Sequence, residues 1–143
     1  MFDSIAGDYD ALNHILSLDV DKIWRKKALK QIVDAPAPVQ VLDLACGTGD
    51  FSIAIAKALS SATGSHVTGV DLSEGMLAVM REKVAKADLT EMISIEEGDG
   101  ENLRFPDNTF DRVTIAFGIR NFENREKGLR EMLRVLKPGG RLV

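Results

Sequence analysis

The chain is poor in cysteine, has no excess of basic residues and shows no apolar run of transmembrane length, and each absence excludes a class of protein. Its single cysteine, Cys46, cannot form an intrachain disulfide or a cysteine metal cluster. The formal net charge of −4 leaves no basic stripe to neutralise phosphates, which argues against nucleic acid as a partner. Because neither a membrane span nor a signal peptide is visible, we expect a cytoplasmic protein.

The apolar residues that are present suffice for one folded domain. The chain has 143 residues, of which 45% are hydrophobic, and it contains no linker, repeat or low-complexity run. A chain of this length can bury a single core.

The most informative stretch is residues 41–50, VLDLACGTGD, where an apolar run changes abruptly into a turn with two glycines. The run predicts a buried strand, and residues 50–59 predict an apolar helix. Gly47 and Gly49 allow positive φ and a close approach of backbone to ligand. A strand, a glycine turn and a helix in this order form half of a nucleotide-binding unit.

The charges around this turn favour a cationic cofactor. The dinucleotide pattern G-x-G-x-x-G/A is matched at its start, but its third position falls on Ser52. Asp43 and Asp50 would place like charge beside a pyrophosphate. S-adenosylmethionine, with its sulfonium and ammonium groups, fits better. The alternative is a structural strand-to-helix turn with ordinary caps.

Two further strands are predicted to end in acids. Residues 66–71 end in Asp71, at the separation from the turn expected for a carboxylate that binds ribose hydroxyls. Its alternative role is to cap the helix predicted over 73–87, although Ser73 can cap that helix itself. Residues 93–97 precede Asp99 and Gly100, which we expect at the adenine amino group and a ring nitrogen; a plain turn aspartate is the alternative. In a parallel sheet these strand ends converge.

The remaining segments complete an alternating strand and helix pattern. Residues 110–117 predict a fourth strand and residues 125–136 a helix. Residues 137–140, KPGG, predict the stop signal of that helix, and residues 141–143 the start of a fifth strand. An apolar strand start is a poor place for a natural terminus, so we expect the protein to continue.

These segments together resemble a class I S-adenosylmethionine-dependent methyltransferase, and closely resemble the UbiE/MenG family, which methylates a carbon of quinone precursors. The general resemblance lies in VLDLACGTGD, VDLSEGML, GDGENLRFPDNTFDRVTIAFGIRN and RVLKPGGRLV. Two segments narrow it: Tyr9 to Asn13, continuing through Ser17 to Trp24, and residues 117–121, similar to the family's F-G-x-R-N. Leu12 stands where the family usually has methionine, and Asp21 where it has histidine, which puts in doubt a base at that position.

The resemblance implies an α/β, Rossmann-like fold with a mostly parallel sheet, helices on both faces and strand order three-two-one-four-five, cut short within or after the fifth strand. Residues 1–35 would form an N-terminal helical lid or substrate segment, and residues 36–143 the S-adenosylmethionine-binding domain.

The resemblance also implies a set of site residues. The expected cofactor contacts are Asp43, Gly47, Thr48, Gly49, Asp71, Leu72, Asp99, Gly100 and Ala116, with no metal. The expected catalytic residues are Arg120, Tyr9 and Asn13. Arg120 would stabilise a phenolate or orient a water that removes the ring proton, since arginine is a poor base; a structural salt bridge is its alternative. His14 has a suitable pKa for a base but fits a surface position better.

The expected reaction is C-methylation of demethylmenaquinol, with a prenylated quinol as substrate. The alternatives are the benzoquinol precursor of ubiquinone, another small molecule or sterol-like lipid, and a non-catalytic cofactor-binding partner in a quinone-synthesis assembly. The basic residues Lys22, Arg25, Lys26, Lys27 and Lys30, on a helix predicted over 20–33, form either a solvated face or a contact with the inner face of the membrane. A homodimer through the last strand is a further expectation.

Overall fold

The computed structural model describes residues 18–33, 38–59, 64–115 and 123–143. Its described strands form one five-stranded sheet of order β3-β2-β1-β4-β5, in which all neighbouring pairs are parallel. The elements in chain order are α1 (Leu18–Val33), β1 (Gln40–Leu44), α2 (Asp50–Ala58), β2 (His66–Asp71), α3 (Glu74–Lys86), β3 (Ile93–Glu97), β4 (Phe110–Ile115), α4 (Arg125–Val135) and β5 (Leu136–Leu142). The predicted Rossmann-like fold and strand order are confirmed.

Side chains alternate along the strands, so the sheet has two buried faces. On the first face, Val41 and Val67 contribute to one core with residues of α1, α2 and α3. On the second face, Leu42 and Leu44 contribute to another core with Met132 of α4. Both faces are apolar because a parallel sheet carries helices on each side.

Most predicted boundaries agree with the structure to within two residues. The strands 66–71 and 93–97 are confirmed in full. The helix predicted over 73–87 is Glu74–Lys86, and Ser73 caps it by accepting from the Met76 amide at 3.3 Å. The fourth strand was predicted to residue 117, and its last two positions lie outside the described residues.

The predicted end of the helix before residue 137 is confirmed, since α4 ends at Val135, but the predicted start of the fifth strand at residue 141 was wrong. Residues 137–140 belong to β5, which starts at Leu136 directly after α4. Phe110 pairs with Leu136 and Arg112 with Arg141, so β5 advances five residues while β4 advances two. Gly139 has φ +82, and a Cβ on Gly140 would lie 2.9 Å from a backbone carbonyl. Gly139 and Gly140 therefore lie in a bulge within β5, and they do not form a loop between α4 and the strand.

A cluster around Arg134 fastens the loop between β3 and β4 to α4. The guanidinium donates to the Leu103 carbonyl at 3.0 Å and the Phe105 carbonyl at 2.8 Å. It also pairs with Asp107 at 2.8 Å and with Glu131 at 2.7 Å. The hydrogen bond from Arg134 lowers the pKa of Glu131. One side chain thus fixes the path of a loop that has little regular structure.

Helix α1 joins the first-face core. Ala28 and Ile32 are buried there, which attaches the end of the predicted 1–35 segment to the sheet domain. None of the described helices is long and apolar enough to cross a bilayer.

Candidate cofactor site

The glycine turn, residues 45–50, joins β1 to α2 through several left-handed residues. Ala45, Gly47 and Gly49 have φ of 52, 58 and 89. A Cβ on Gly49 would overlap Cγ of Met80, whose side chain lies against the turn. The Gly49 amide donates to the Cys46 carbonyl at 3.0 Å and closes the turn. Only glycine satisfies both the backbone angle and the space at position 49.

The predicted ribose acid, Asp71, lies at this turn. Its Oδ2 accepts from the Gly47 amide at 2.8 Å, and its Oδ1 accepts from the Ser73 amide at 2.9 Å. The ends of β1 and β2 therefore meet as predicted. Since the Ser73 hydroxyl caps α3, the alternative role of Asp71 as the helix cap is already filled. Its contact with ribose stays a prediction.

Asp43 lies beneath the turn, on the first face of the sheet. Its side chain is 1% exposed and accepts from Oγ of Ser52 at 2.6 Å. Burial raises the pKa of Asp43 to about 7; the Ser52 hydroxyl opposes this rise and the charge of Asp71 adds to it. The carboxyl thus faces Ser52 of α2, and its role toward a cofactor stays a prediction.

Ser52 and Thr114 are polar neighbours of Asp43 that sequence reasoning missed. In the sequence, Ser52 stands out only as a mismatch to the dinucleotide pattern, although a hydroxyl at that position suits a buried carboxyl. Thr114 pairs with Asp43 in register across β4 and β1, and its buried Oγ1 has no hydrogen-bond partner. The sequence offered no signal for the second neighbour, because the pairing joins distant strands.

Asp50, the other acid of the turn, faces Lys83 of α3. The Lys83 ammonium lies 3.0 Å from Oδ1 of Asp50 and donates to Oγ1 of Thr48 at 3.2 Å. The two charged side chains are 30% and 27% exposed. The turn sequence indicates Asp50 as a counter-charge for the cofactor, but it offers no signal for Lys83, which lies far along the chain.

The predicted adenine loop follows β3 and lies beside Asp71. The Gly98 amide donates to the Asp71 carbonyl at 3.0 Å. Oδ1 of Asp99 accepts from the Glu101 amide at 2.9 Å, which is the geometry of a turn aspartate, and Gly100 is buried. Both interpretations of Asp99 therefore remain compatible with its position, and the adenine contact stays a prediction.

Glu101 extends this loop toward α4. Its carboxylate accepts from the amides of Glu123 at 3.1 Å and Asn124 at 3.2 Å. Asn124 in turn caps α4 by accepting from the Lys127 amide at 3.1 Å. The loop after β3 is thus tied to the residues that follow 116–122.

Comparison with known proteins establishes the family. The family model of the ubiE/COQ5 methyltransferase family matches residues 1–143, the whole chain. The chain belongs to the ubiE/COQ5 methyltransferase family. It is 52% identical over 143 residues to a Bacteroides fragilis protein named demethylmenaquinone methyltransferase, covering 100% of this chain and 57% of that protein. It is 50% identical over 143 residues to the Geobacter sulfurreducens ubiquinone/menaquinone biosynthesis C-methyltransferase UbiE, covering 100% of this chain and 55% of that protein.

A solved structure agrees with this membership. The crystal structure described as a SAM dependent methyltransferase from Aquifex aeolicus matches with a TM-score of 0.70 at 28% identity, covering 80% of this chain and 58% of that one. This member of the ubiE/COQ5 family spans a little more than half the length of the curated relatives it matches.

Several site residues expected from the family lie outside the described part of the chain. Tyr9 and Asn13 precede residue 18, and Ala116 and Arg120 fall within 116–122. Their contacts stay predictions. Leu72 is described, directly after Asp71, and is 68% exposed. An exposed leucine beside Asp71, the predicted ribose acid, offers an apolar surface at the predicted adenosine site.

The side chain of Cys46 packs closely against its neighbours in this family member. Its Sγ lies 3.5 Å from Sδ of Met80, and a Cβ on Gly69 would lie 3.1 Å from that Sγ. Burial, with smaller contributions from Asp43 and Asp71, raises the pKa of the thiol well above its usual range. A protonated, closely packed thiol is a poor nucleophile.

Proposed function

We propose that the protein containing this chain transfers a methyl group from S-adenosylmethionine to a ring carbon of demethylmenaquinol, giving menaquinol. The observation that carries the proposal is the family match over all 143 residues, including the relative named demethylmenaquinone methyltransferase at 52% identity. The arrangement of the glycine turn around Asp71 supports the choice of methyl donor.

The residues at the turn fit this donor. Asp71 carries a carboxylate at the turn, and Leu72 beside it presents an apolar side chain. We assign the ribose hydroxyls to Asp71, the adenine face to Leu72 and Ala116, and the adenine edge to Asp99 and Gly100. The negative charge of Asp71 favours a cationic ligand over a pyrophosphate. The expected remaining contacts are Asp43, Gly47, Thr48 and Gly49.

When bound, S-adenosylmethionine supplies an electrophilic methyl group on its sulfonium. The chain must hold the acceptor ring in line with that group, and placement alone contributes several kcal/mol to catalysis. We assign Arg120 to the quinol oxygen, where its charge stabilises the phenolate that makes the ring carbon nucleophilic. In this proposal, Tyr9 and Asn13 position the ring from residues 1–35, which form the substrate segment over the cofactor domain 36–143.

The donor is tested by calorimetry on the natural protein that carries this sequence. Asp71→Ala removes two charge-assisted hydrogen bonds to ribose, so we expect at least a roughly tenfold loss of S-adenosylmethionine affinity. Glu82→Ala, at an exposed acid of α3, is the matched control and should bind as the wild type does. Unchanged binding by Asp71→Ala would refute the ribose assignment.

The acceptor is tested by methyl transfer to two quinols. We expect turnover with demethylmenaquinol, and we expect Arg120→Ala to keep cofactor affinity while losing most turnover. Turnover on the benzoquinol precursor instead would favour the alternative acceptor, for which the name of the Geobacter relative gives support. Cofactor binding without turnover on either quinol would favour a non-catalytic partner.

We also propose that α1 brings the protein to anionic membrane surfaces, where the prenylated substrate resides. Lys26, Lys27 and Lys30 are exposed on this helix. Each lysine near an anionic surface contributes about 1 kcal/mol, so neutralising all three should lower binding to phosphatidylglycerol vesicles by roughly two orders of magnitude. Equal sedimentation with phosphatidylcholine vesicles would contradict an electrostatic contact.

A concentration series in analytical ultracentrifugation tests the proposed homodimer.

A further inference from the structure

We propose that Lys83 of α3 is a positioning residue that holds the glycine turn in the shape to which S-adenosylmethionine binds. The identity of the ligand rests on the proposed function above. The holding of the turn is a property of the chain itself and is measurable without ligand.

The contacts of Lys83 fall on both sides of the most constrained residue of the turn. Its ammonium donates to Oγ1 of Thr48 at 3.2 Å and to Oδ1 of Asp50 at 3.0 Å. Between these two residues lies Gly49, whose φ is 89 and whose missing Cβ leaves room for Met80. One cation therefore fixes the residue before and the residue after the left-handed position.

The other end of the turn is held by Asp71, which accepts from the Gly47 amide at 2.8 Å. A Cβ on Gly47 would lie 3.7 Å from Sδ of Met76. Asp71, Met76, Met80 and Lys83 all belong to β2 and α3. This unit thus supports the turn along its length, and Lys83 secures the part nearest α2.

The charge of Lys83 also determines what the turn presents to a cofactor. Asp50 faces the ammonium, so its negative charge is largely balanced. Because the pair is about 30% exposed, solvent screens it and it adds little to global stability. The pair of Lys83 and Asp50 acts locally: it orders the turn and sets the electrostatic potential there.

The test compares Lys83→Met with wild type, with Lys86→Met as the matched control on an exposed lysine of the same helix. Without cofactor, amide hydrogen exchange is measured at Gly49, whose amide donates to the Cys46 carbonyl. We expect faster exchange at Gly49 in Lys83→Met. If a smaller fraction of the protein has the turn conformation that binds cofactor, Kd rises by the factor by which that fraction falls. We expect the Kd for S-adenosylmethionine to rise roughly three- to tenfold in Lys83→Met.

A second readout separates positioning from plain structural support. S-adenosylhomocysteine lacks the sulfonium charge, and removing Lys83 leaves Asp50 less balanced. We therefore expect Lys83→Met to weaken S-adenosylhomocysteine about twofold more than S-adenosylmethionine. Lys83→Arg keeps the cation and should restore both affinities to within about twofold of wild type.

Unchanged exchange at Gly49 in Lys83→Met would overturn the inference. Equal losses for both ligands without rescue by Lys83→Arg would overturn it as well, because they would indicate general damage to packing. A wild-type protein that binds neither ligand would refute the proposed function instead. The exchange at Gly49 would then still decide whether Lys83 holds the turn.

Discussion

The free energy of unfolding should depend on pH partly through the titration of Asp43. Replacing Asp43 by asparagine should remove most of that contribution. Asp43 is 1% exposed, and its pKa is raised to about 7 chiefly by burial. Asparagine has nearly the same shape, stays neutral at every pH and can still accept from Ser52, whose hydroxyl lies 2.6 Å from Oδ2. The substitution therefore removes the charge and keeps the hydrogen bond.

Proton linkage determines the sign and size of the effect of Asp43 on the free energy of unfolding. Asp43 releases its proton near its ordinary pKa of 3.8 in the unfolded chain and near 7 in the folded one. Between these values the folded state binds more protons, so the free energy of unfolding falls as pH rises, and the loss is complete above pH 7. One pKa unit corresponds to about 1.4 kcal/mol, so the loss has an upper bound of roughly 4 kcal/mol.

The assay is urea unfolding at several pH values between 4 and 8.5. We expect Asp43→Asn to match wild type near pH 4 and to be more stable by about 2–4 kcal/mol at pH 8. The control is Ser52→Ala, which removes the donor that favours the charged carboxylate and should be more destabilising at pH 8 than at pH 4. A constant difference between Asp43→Asn and wild type across this range would refute the reasoning.

Three further substitutions have expected outcomes. Gly49→Ala forces a side chain onto φ 89 and into Met80, so thermal unfolding should show a loss of about 2–3 kcal/mol and calorimetry a loss of cofactor binding. Arg134→Lys loses the paired contacts to two carbonyls; urea unfolding should show a loss of about 1 kcal/mol, and no change would contradict the role of Arg134 in holding the loop between β3 and β4. Glu101→Ala should speed amide exchange at Glu123 and Asn124, which donate to its carboxylate, and unchanged exchange would contradict that contact.

The sequence predicted what local pattern determines. Alternation and glycine position gave the strands, their order followed from the family resemblance, and the convergence of Asp71 on Gly47 followed from parallel strand ends. The sequence did not predict the partners of the acids, because Asp43–Ser52 and Asp50–Lys83 depend on how helices lie over the turn.

The β5 bulge was missed for a different reason. A proline and two glycines after a helix are compatible with a loop and equally with a bulged strand. Only the pairing with Phe110 and Arg112 distinguishes the two.

The carboxylate of Glu101 has a consequence for the chain between residues 101 and 123. By accepting from the amides of Glu123 and Asn124, it closes that stretch into a ring, with β4 as one side. Glu123 is thereby held beside the loop that follows β3, and β4 lies within the closed stretch. The entropy needed to bring Glu101 and Glu123 together is already spent in the folded chain, before any ligand binds.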